Sequence, residues 1–280
     1  MKLMIRAHDL GVKGENEIVN RLNELSLDGV QLVLYKSIDG VAYKQGAVSE
    51  DMAAKIGNTL KEAGKEIALI GAYFNPVHPD VQKSKKGKEI FRDYLSLARL
   101  LGCDTVGSET GSYMGDPWGY HPDNRTLQAR KIVADTFRML ADHAKEQGAC
   151  VGIEGAFNHV CYTPEVLSEV IEEIGRDNVR VIFDLYNYLD ISNYTDAYAI
   201  LERGHRLFGD GILLYHLKDF TVEDGAIRQC GVGRGILDFE KLLGEIYRYN
   251  RNAVLVLEGT VGDDIPIAVK HIKDIIARLK

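Results

Sequence analysis

The sequence lacks several features that would assign the chain to a specialised class of protein. It has four cysteines and six prolines in 280 residues, and no two cysteines form a Cys-x-x-Cys pair. We therefore expect reduced thiols and no disulfide framework. No apolar run approaches membrane-spanning length, and His8 and Asp9 come too early for the apolar region of a signal peptide. These absences predict a cytoplasmic protein without membrane contact.

Basic charge is also scarce. The chain has 34 Lys and Arg against 41 Asp and Glu, which gives a formal net charge of −7. A mildly acidic chain is poorly suited to hold phosphate backbones along an extended face, so we expect no nucleic-acid partner. The one basic cluster, Lys83 to Lys88, predicts a solvated loop that leads into a helix.

Eight short apolar runs alternate with longer helical or polar segments. They start near Leu3, Val30, Ile67, Thr105, Val151, Val179, Ile212 and Ala253. The starts lie about 25 to 45 residues apart, which is the size of one βα unit. No low-complexity linker divides the chain, and α/β barrels commonly use about 250 residues as one domain. We predict a single (β/α)8 TIM barrel over residues 1–280, with its active site at the C-terminal ends of the strands.

Helix punctuation supports the alternation. Capping residues or a first-turn proline mark four predicted helix starts, at Ser49, Thr163, Asp238 and Pro266. Two further helical patterns, Ile90 to Leu101 and Asp123 to Gln147, stop at a glycine.

Four runs in the second half of the chain end on side chains that bind metal ions. These residues are Glu154, Asp184, His216 and Glu258. If the strands are parallel neighbours, their C-terminal ends bring the four side chains together. Three carboxylates and one imidazole suit a divalent cation such as Mn, Mg or Co, whereas a structural zinc site more often uses cysteine pairs. One such acid could be a helix cap or an ion-pair partner, but the set at equivalent positions favours a metal centre.

Five motifs carry a resemblance to a known family. They are Gly152-Ile153-Glu154-Gly155, Phe183-Asp184-Leu185-Tyr186-Asn187, Tyr215-His216-Leu217-Lys218-Asp219, Gly231-Val232-Gly233-Arg234-Gly235 and Leu257-Glu258-Gly259. With them the chain resembles the sugar phosphate isomerase/epimerases with the xylose isomerase-like TIM barrel, which are related to ketose 3-epimerases, inosose dehydratase and endonuclease IV. The resemblance implies one divalent ion (Mn favoured over Mg, Co or Zn) on Glu154, Asp184, His216 and Glu258. It also implies that Asp219 orients the ring of His216.

The resemblance implies an isomerase or epimerase that acts on a small polyhydroxylated substrate, phosphorylated or not. Glu154 and Glu258 would be the catalytic acid-base pair on either side of a carbon next to a carbonyl, working through a metal-stabilised enediolate. A dehydratase of an inosose-like ketone shares the first step and remains an alternative, as does a non-catalytic sugar-binding protein. A phosphodiesterase of the endonuclease IV type is disfavoured, because Asn187 stands where many relatives have histidine and Asp219-Phe220-Thr221 lacks an Asp-x-His pair.

Several residues outside the ligand set are candidates for substrate binding. They are Asn187, Glu109, His78, Arg234 and Trp118. Trp118 lies in an aromatic segment, Gly111 to Asn124, that suits stacking on a sugar, closure as a lid, or a subunit contact. Arg234 follows the seventh strand, where barrels often bind anions, although a glycine-rich hairpin is the alternative. Barrel enzymes of this type are often dimers or tetramers, so we expect a homo-oligomer.

Overall fold

The computed structural model describes residues 1–279, and its core is a closed barrel of eight parallel strands. The ten strands in chain order are β1 (Lys2–Arg6), β2 (Gly29–Leu32), β3 (Glu66–Gly71), β4 (Thr105–Glu109), β5 (Cys150–Glu154), β6 (Val179–Asp184), β7 (Ile212–Leu217), β8 (Asp219–Glu223), β9 (Ala226–Cys230) and β10 (Val254–Leu257). The barrel contains all of them except β8 and β9, and β1 closes it by pairing with β10. The predicted TIM-barrel fold is confirmed.

Nine α-helices are present in the described residues, most of them on the outside of the barrel between strands. They are α1 (Glu15–Glu24), α2 (Leu34–Ser37), α3 (Glu50–Glu62), α4 (Val81–Leu97), α5 (Leu127–Glu146), α6 (Pro164–Ile174), α7 (Ala197–Phe208), α8 (Phe239–Tyr249) and α9 (Asp264–Leu279). The side chains of Ser49, Thr163 and Asp238 cap α3, α6 and α8 as predicted, each by accepting a backbone N–H of the first turn.

Three helix starts differ from the sequence prediction, and the smallest difference is at α9, which begins at Asp264 and not at Pro266. The Lys83–Lys88 cluster lies inside α4 and not in a loop, because Asp80 caps that helix and Gly87 packs against Phe74. The helix predicted from Asp123 begins at Leu127, where Thr126 caps α5 after a short 3₁₀ turn. At α4 and at α5, the capping side chain of the residue immediately before the helix fixes where the helix begins.

The barrel interior holds a small apolar layer of its own. Its buried members are Met4, Leu69, Ile182, Leu214 and Val256. Gly107 and Gly152 leave room for this layer, since a Cβ on Gly107 would lie 2.7 Å from the Ile182 side chain. A much larger apolar cluster fills the space between barrel and helices.

An antiparallel hairpin of β8 and β9 follows β7 at the mouth of the barrel. Asp224 and Gly225 form its turn with positive φ angles of 51° and 72°, the conformation of a tight two-residue hairpin turn. Gly225 and Ile227 line a cavity of about 490 Å³, so the hairpin forms part of the wall of that cavity. Among residues 1–279, no helix combines the length and apolarity that a membrane crossing needs.

Candidate metal centre

Strand alternation carries the predicted ligands into the mouth of the barrel. On three strands an inner-layer residue is followed two positions later by a ligand: Ile182 by Asp184, Leu214 by His216 and Val256 by Glu258. Side chains two residues apart on a strand lie on the same face, so the ligands sit directly above the apolar layer. Gly152 stands two positions before Glu154 in the same way.

The four predicted ligands form one buried cluster. Each offers one donor atom, and these atoms all lie within 4.8 Å of one another. His216 Nδ1 lies 2.9 Å from Glu258 Oε2, 3.4 Å from Glu154 Oε1 and 3.5 Å from Asp184 Oδ2. The imidazole nitrogen and the three carboxylates therefore converge on a single point.

The other nitrogen of His216 is held by Gln31. His216 Nε2 lies 2.6 Å from Gln31 Oε1, and the amide of Gln31 donates to Tyr73 Oη at 2.6 Å. An amide oxygen can only accept, so Nε2 carries the proton and donates it. Nδ1 then faces the three carboxylates and is the nitrogen that could ligate a metal ion, the orientation that a metal-ligating histidine needs.

Burial and charge shift the pKa values of the cluster in opposite directions. Burial raises the pKa of Glu154. Burial also opposes ionisation of Glu258, but the charges of Lys218 and His216 outweigh it and hold the pKa of Glu258 well below its usual value. For His216, the negative charges of Glu258 and Glu154 overcome burial and raise the pKa well above that of a free imidazole.

Two cations that sequence reasoning missed lie against the carboxylates. Lys218 Nζ is 2.8 Å from Asp184 Oδ2 and 3.0 Å from Glu258 Oε1. Arg6 Nη1 is 2.8 Å from Glu258 Oε1, while its Nε and Nη2 are held by Asp9. Both cations follow inward-facing strand positions by two residues, Lys218 after His216 and Arg6 after Met4. That alternation was the available signal, and it also identifies Gln31, two residues after Gly29.

The donor set fits a divalent cation. Asp184 Oδ2 and Glu258 Oε2 are buried, and their contacts within the described residues are ion pairs with Lys218 and His216 that lack good hydrogen-bond geometry. Buried polar atoms are normally satisfied, and a cation bound between them would satisfy both. A set of three carboxylates and one imidazole suits Mn, Mg, Co or Zn.

A cavity of about 490 Å³ opens beside the cluster and contains three of the predicted substrate-binding residues. Glu109, Trp118 and Asn187 line it, together with Lys218. Asn187 is already engaged, since its Nδ2 donates to Glu154 Oε1 at 2.7 Å and its Oδ1 accepts from Lys218 at 3.0 Å. It therefore links the centre to the cavity wall. The volume is within the range of about 300–1,000 Å³ that small-molecule sites occupy.

Glu109, which is partly exposed to this cavity, pairs with the buried His159, which also lines it. Glu109 Oε2 lies 3.1 Å from His159 Nδ1, and the Trp118 ring stands edge-on to the imidazole. Burial, followed by the charge of Glu154, raises the pKa of Glu109 to about 8, and burial lowers the pKa of His159 to about 4. Both shifts favour the neutral forms, a protonated Glu109 carboxyl group beside an uncharged His159 imidazole.

The structure places His78 in a second cavity of about 330 Å³, which Trp118 also lines. His78 Nδ1 accepts from the backbone N–H of Asp80 at 2.9 Å, so Nε2 carries the proton and faces Asp116 Oδ2 at 3.3 Å. Trp118 thus stands between two cavities, and His78 faces only the smaller one.

Arg234 and Asp219 lie outside both cavities and away from His216. Arg234 Nε pairs with Asp264 Oδ1 at 2.9 Å on the surface. Asp219 accepts the backbone N–H groups of Gly233 and Gly235 at 3.0 and 2.8 Å, which fixes the glycine-rich loop that follows the β8–β9 hairpin. The prediction that Asp219 orients His216 is wrong, because both of its carboxylate oxygens are used by this loop and Gln31 occupies that role.

The chain is similar to known proteins over almost its whole length. The sequence profile described as xylose isomerase-like TIM barrel matches residues 19–277. No curated protein sequence matches the chain. Similar solved structures include a D-tagatose 3-epimerase-like protein, with 18% identity, a TM-score of 0.76 and coverage of 100% of this chain and 98% of that one.

Two further structures share the fold. The IolI protein with a bound zinc atom is 14% identical, with a TM-score of 0.73 and coverage of 100% of this chain and 99% of that one. The probable 3-DHS dehydratase AsbF from Bacillus anthracis is 16% identical, with a TM-score of 0.71 and coverage of 99% of each chain. At identities this low, the structural similarity demonstrates a common architecture alone, and the function has to be argued from the site.

Proposed function

The chain belongs to the xylose isomerase-like TIM barrel family, and we propose that it is a divalent-metal-dependent isomerase or epimerase of a small polyhydroxylated carbonyl compound. The observation that carries this proposal is the convergence of Glu154, Asp184, His216 and Glu258 beside a polar cavity. The D-tagatose 3-epimerase-like relative supports the reaction class.

The four converging side chains would hold the ion, and we favour Mn²⁺ because the set is mostly oxygen with one nitrogen. Bound there, a divalent cation would polarise a substrate carbonyl and stabilise the negative charge of the enediolate as it forms.

Glu154 and Glu258 are the proposed acid-base pair. They end or follow β5 and β10, which are separated in the barrel by β6 and β7, so the two carboxylates reach the centre from different sides. One carboxylate removes the proton next to the carbonyl, and either the same group or its opposite returns one. Asn187 positions Glu154 and Arg6 positions Glu258 through the hydrogen bonds described above.

A dehydratase is the second candidate, and the Glu109–His159 pair is the observation that favours it. Loss of a β-hydroxyl group requires a general acid near the leaving oxygen. Glu109, with its pKa raised to about 8 by burial, lines the cavity and would keep a proton to donate near neutral pH. The structural similarity to the probable dehydratase AsbF is compatible with this alternative.

Deuterium wash-in tests the proposal. Protein stripped with a chelator and reloaded with Mn²⁺ is incubated in D₂O with ketoses, ketose phosphates and inosose. We expect metal-dependent label on the carbon next to the carbonyl, with conserved product mass for an isomerase and loss of water for a dehydratase. Glu154→Gln and Glu258→Gln should each lower the exchange rate by about 10²-fold or more. Near-normal exchange by either variant would refute the acid-base assignment.

A further inference from the structure

Lys218 lies among the candidate metal ligands, in contacts that binding a substrate would not by itself require. Its ammonium lies between two of the candidate ligands, 2.8 Å from Asp184 Oδ2 and 3.0 Å from Glu258 Oε1. Its third partner is Asn187 Oδ1 at 3.0 Å, on the cavity side. The residue is 7% exposed, and it is exposed only toward the cavity that it lines.

The charge of the cluster depends on this ammonium. Glu154, Asp184 and Glu258 supply three negative charges when ionised, and Lys218 with Arg6 supplies two positive ones. Lys218 and Arg6 therefore offset two of the three carboxylate charges. Three unneutralised carboxylates in a buried space would be strongly unfavourable, because like charges repel and burial removes solvation.

The two cations differ in their freedom to move. Asp9 holds the planar guanidinium of Arg6 through two hydrogen bonds of 3.0 Å, and Arg6 reaches only Glu258. The ammonium of Lys218 is a point charge on a flexible four-carbon stem, with a ready partner in Asn187. Lys218 can leave Asp184 and Glu258 and keep its hydrogen bond to Asn187. Arg6 cannot turn without breaking its two hydrogen bonds to Asp9.

We propose that Lys218 is the resident cation of the centre, competing with the divalent ion for Asp184 and Glu258. When the ion binds, the ammonium of Lys218 turns toward Asn187 and the cavity, because two cations cannot share the same carboxylate oxygens without strong repulsion. The centre then binds its metal reversibly, and the displaced ammonium faces the space where a substrate oxygen would lie. This inference rests on the metal centre of the proposed function and not on the reaction.

Calorimetric titration of the chelator-treated full-length protein with MnCl₂ tests the competition without any substrate. Lys218→Met and Lys218→Gln remove the charge and should each bind Mn²⁺ at least about tenfold more tightly than the wild type. Lys218→Arg keeps the positive charge and should bind Mn²⁺ no more tightly than the wild type. Lys36→Met is the matched control, since it removes a lysine whose charge also acts on Glu258 but which lies beyond ion-pair distance of the ligand carboxylates in the described residues.

Equal or weaker Mn²⁺ binding by Lys218→Met and Lys218→Gln would overturn the proposal, as would an equal gain in Lys36→Met. If both Lys218 variants fail to fold, wild-type crystals with chelator and with MnCl₂ decide. Lys218 Nζ should leave Asp184 Oδ2 only with Mn²⁺, and an unmoved ammonium beside a bound ion would refute the competition. Absence of Mn²⁺ binding by every variant would overturn the centre itself, whereas tightened binding without deuterium exchange would overturn only the proposed reaction.

Discussion

Replacing Gln31 by leucine isolates the residue that positions His216. Gln31 is fully buried and lies between two polar groups, accepting from His216 Nε2 and donating to Tyr73 Oη, both at 2.6 Å. Leucine has a similar volume and no polar atom, so Gln31→Leu removes both hydrogen bonds with little change in packing.

The expected magnitude comes from the two groups left without partners. A buried donor or acceptor that loses its hydrogen bond costs about 1–3 kcal/mol, so the free energy of unfolding should fall by about 2–6 kcal/mol. Loss of the partner that orients a ligating histidine typically weakens metal binding by about 10–100-fold. Tyr73→Phe is the matched control, because it removes the hydroxyl group that accepts from Gln31 and leaves the Gln31–His216 hydrogen bond intact. That variant should lose about 1–3 kcal/mol, because one buried donor loses its partner, and keep Mn²⁺ affinity within about threefold.

Urea unfolding in the presence of a chelator gives the stability, and calorimetric titration with MnCl₂ gives the affinity. A Gln31→Leu protein as stable as the wild type with unchanged Mn²⁺ affinity would refute the assignment of Gln31. Destabilisation with full Mn²⁺ affinity would show that Gln31 supports the fold without orienting the ligand.

Three further predictions concern other parts of the chain. Burial lowers the pKa of His205, whose Nε2 lies 2.9 Å from Tyr215 Oη, from 6.5 to about 4. As the pH falls, the unfolded chain binds this proton before the folded chain does, so the free energy of unfolding should fall between pH 6.5 and 4. Urea unfolding at several pH values should show a flatter slope for His205→Gln. Gly107→Ala should lower the free energy of unfolding by about 1–3 kcal/mol, because the new Cβ would lie 2.7 Å from the Ile182 side chain. Adding Ile182→Val should recover part of that loss, and a Gly107→Ala variant as stable as the wild type would contradict this packing. Trp118, the single tryptophan, should change its emission when a ligand enters either cavity it lines, and a saturable ligand that leaves the emission unchanged would argue against that placement.

The sequence was most informative where a strand ends in a residue with distinctive chemistry. Buried parallel strands produce apolar runs, and a carboxylate or imidazole at the end of such a run is unusual enough to be noticed. Because all eight strands run in the same direction, those ends meet at one mouth, and the convergence of Asp184 and His216 follows from the fold.

The surroundings of the ligands were harder to predict. Neither Lys218 nor Arg6 stands out in the sequence as part of the site, since lysine and arginine are usually solvated. Only the shared inward face of residues two apart indicates that they point into the barrel. The partner of His216 could not be predicted, because Gln31 is 185 residues away and meets it only through barrel closure.

The basic cluster in α4 shows how composition can conceal a helix. Glycine and five nearby charged or polar residues suggested a loop, yet Ser84, Gly87 and Phe91 are all buried. Their spacing of three and four residues is that of one helix face, and Gly87 is required because a Cβ there would lie 2.3 Å from Phe74. Lys83, Lys85 and Lys86 are exposed, and Lys88 is half-buried.

Metal stoichiometry is the most direct test of the central claim that Glu154, Asp184, His216 and Glu258 form one metal centre. Protein stripped with a chelator is dialysed against MnCl₂, and bound metal is measured by mass spectrometry for the wild type, His216→Ala and the double variant Asp184→Asn/Glu258→Gln. The account predicts one ion per wild-type chain and strongly reduced binding in both variants, with circular dichroism confirming that they fold. An ion retained equally by the folded variants, or no ion bound by the wild type, would contradict it.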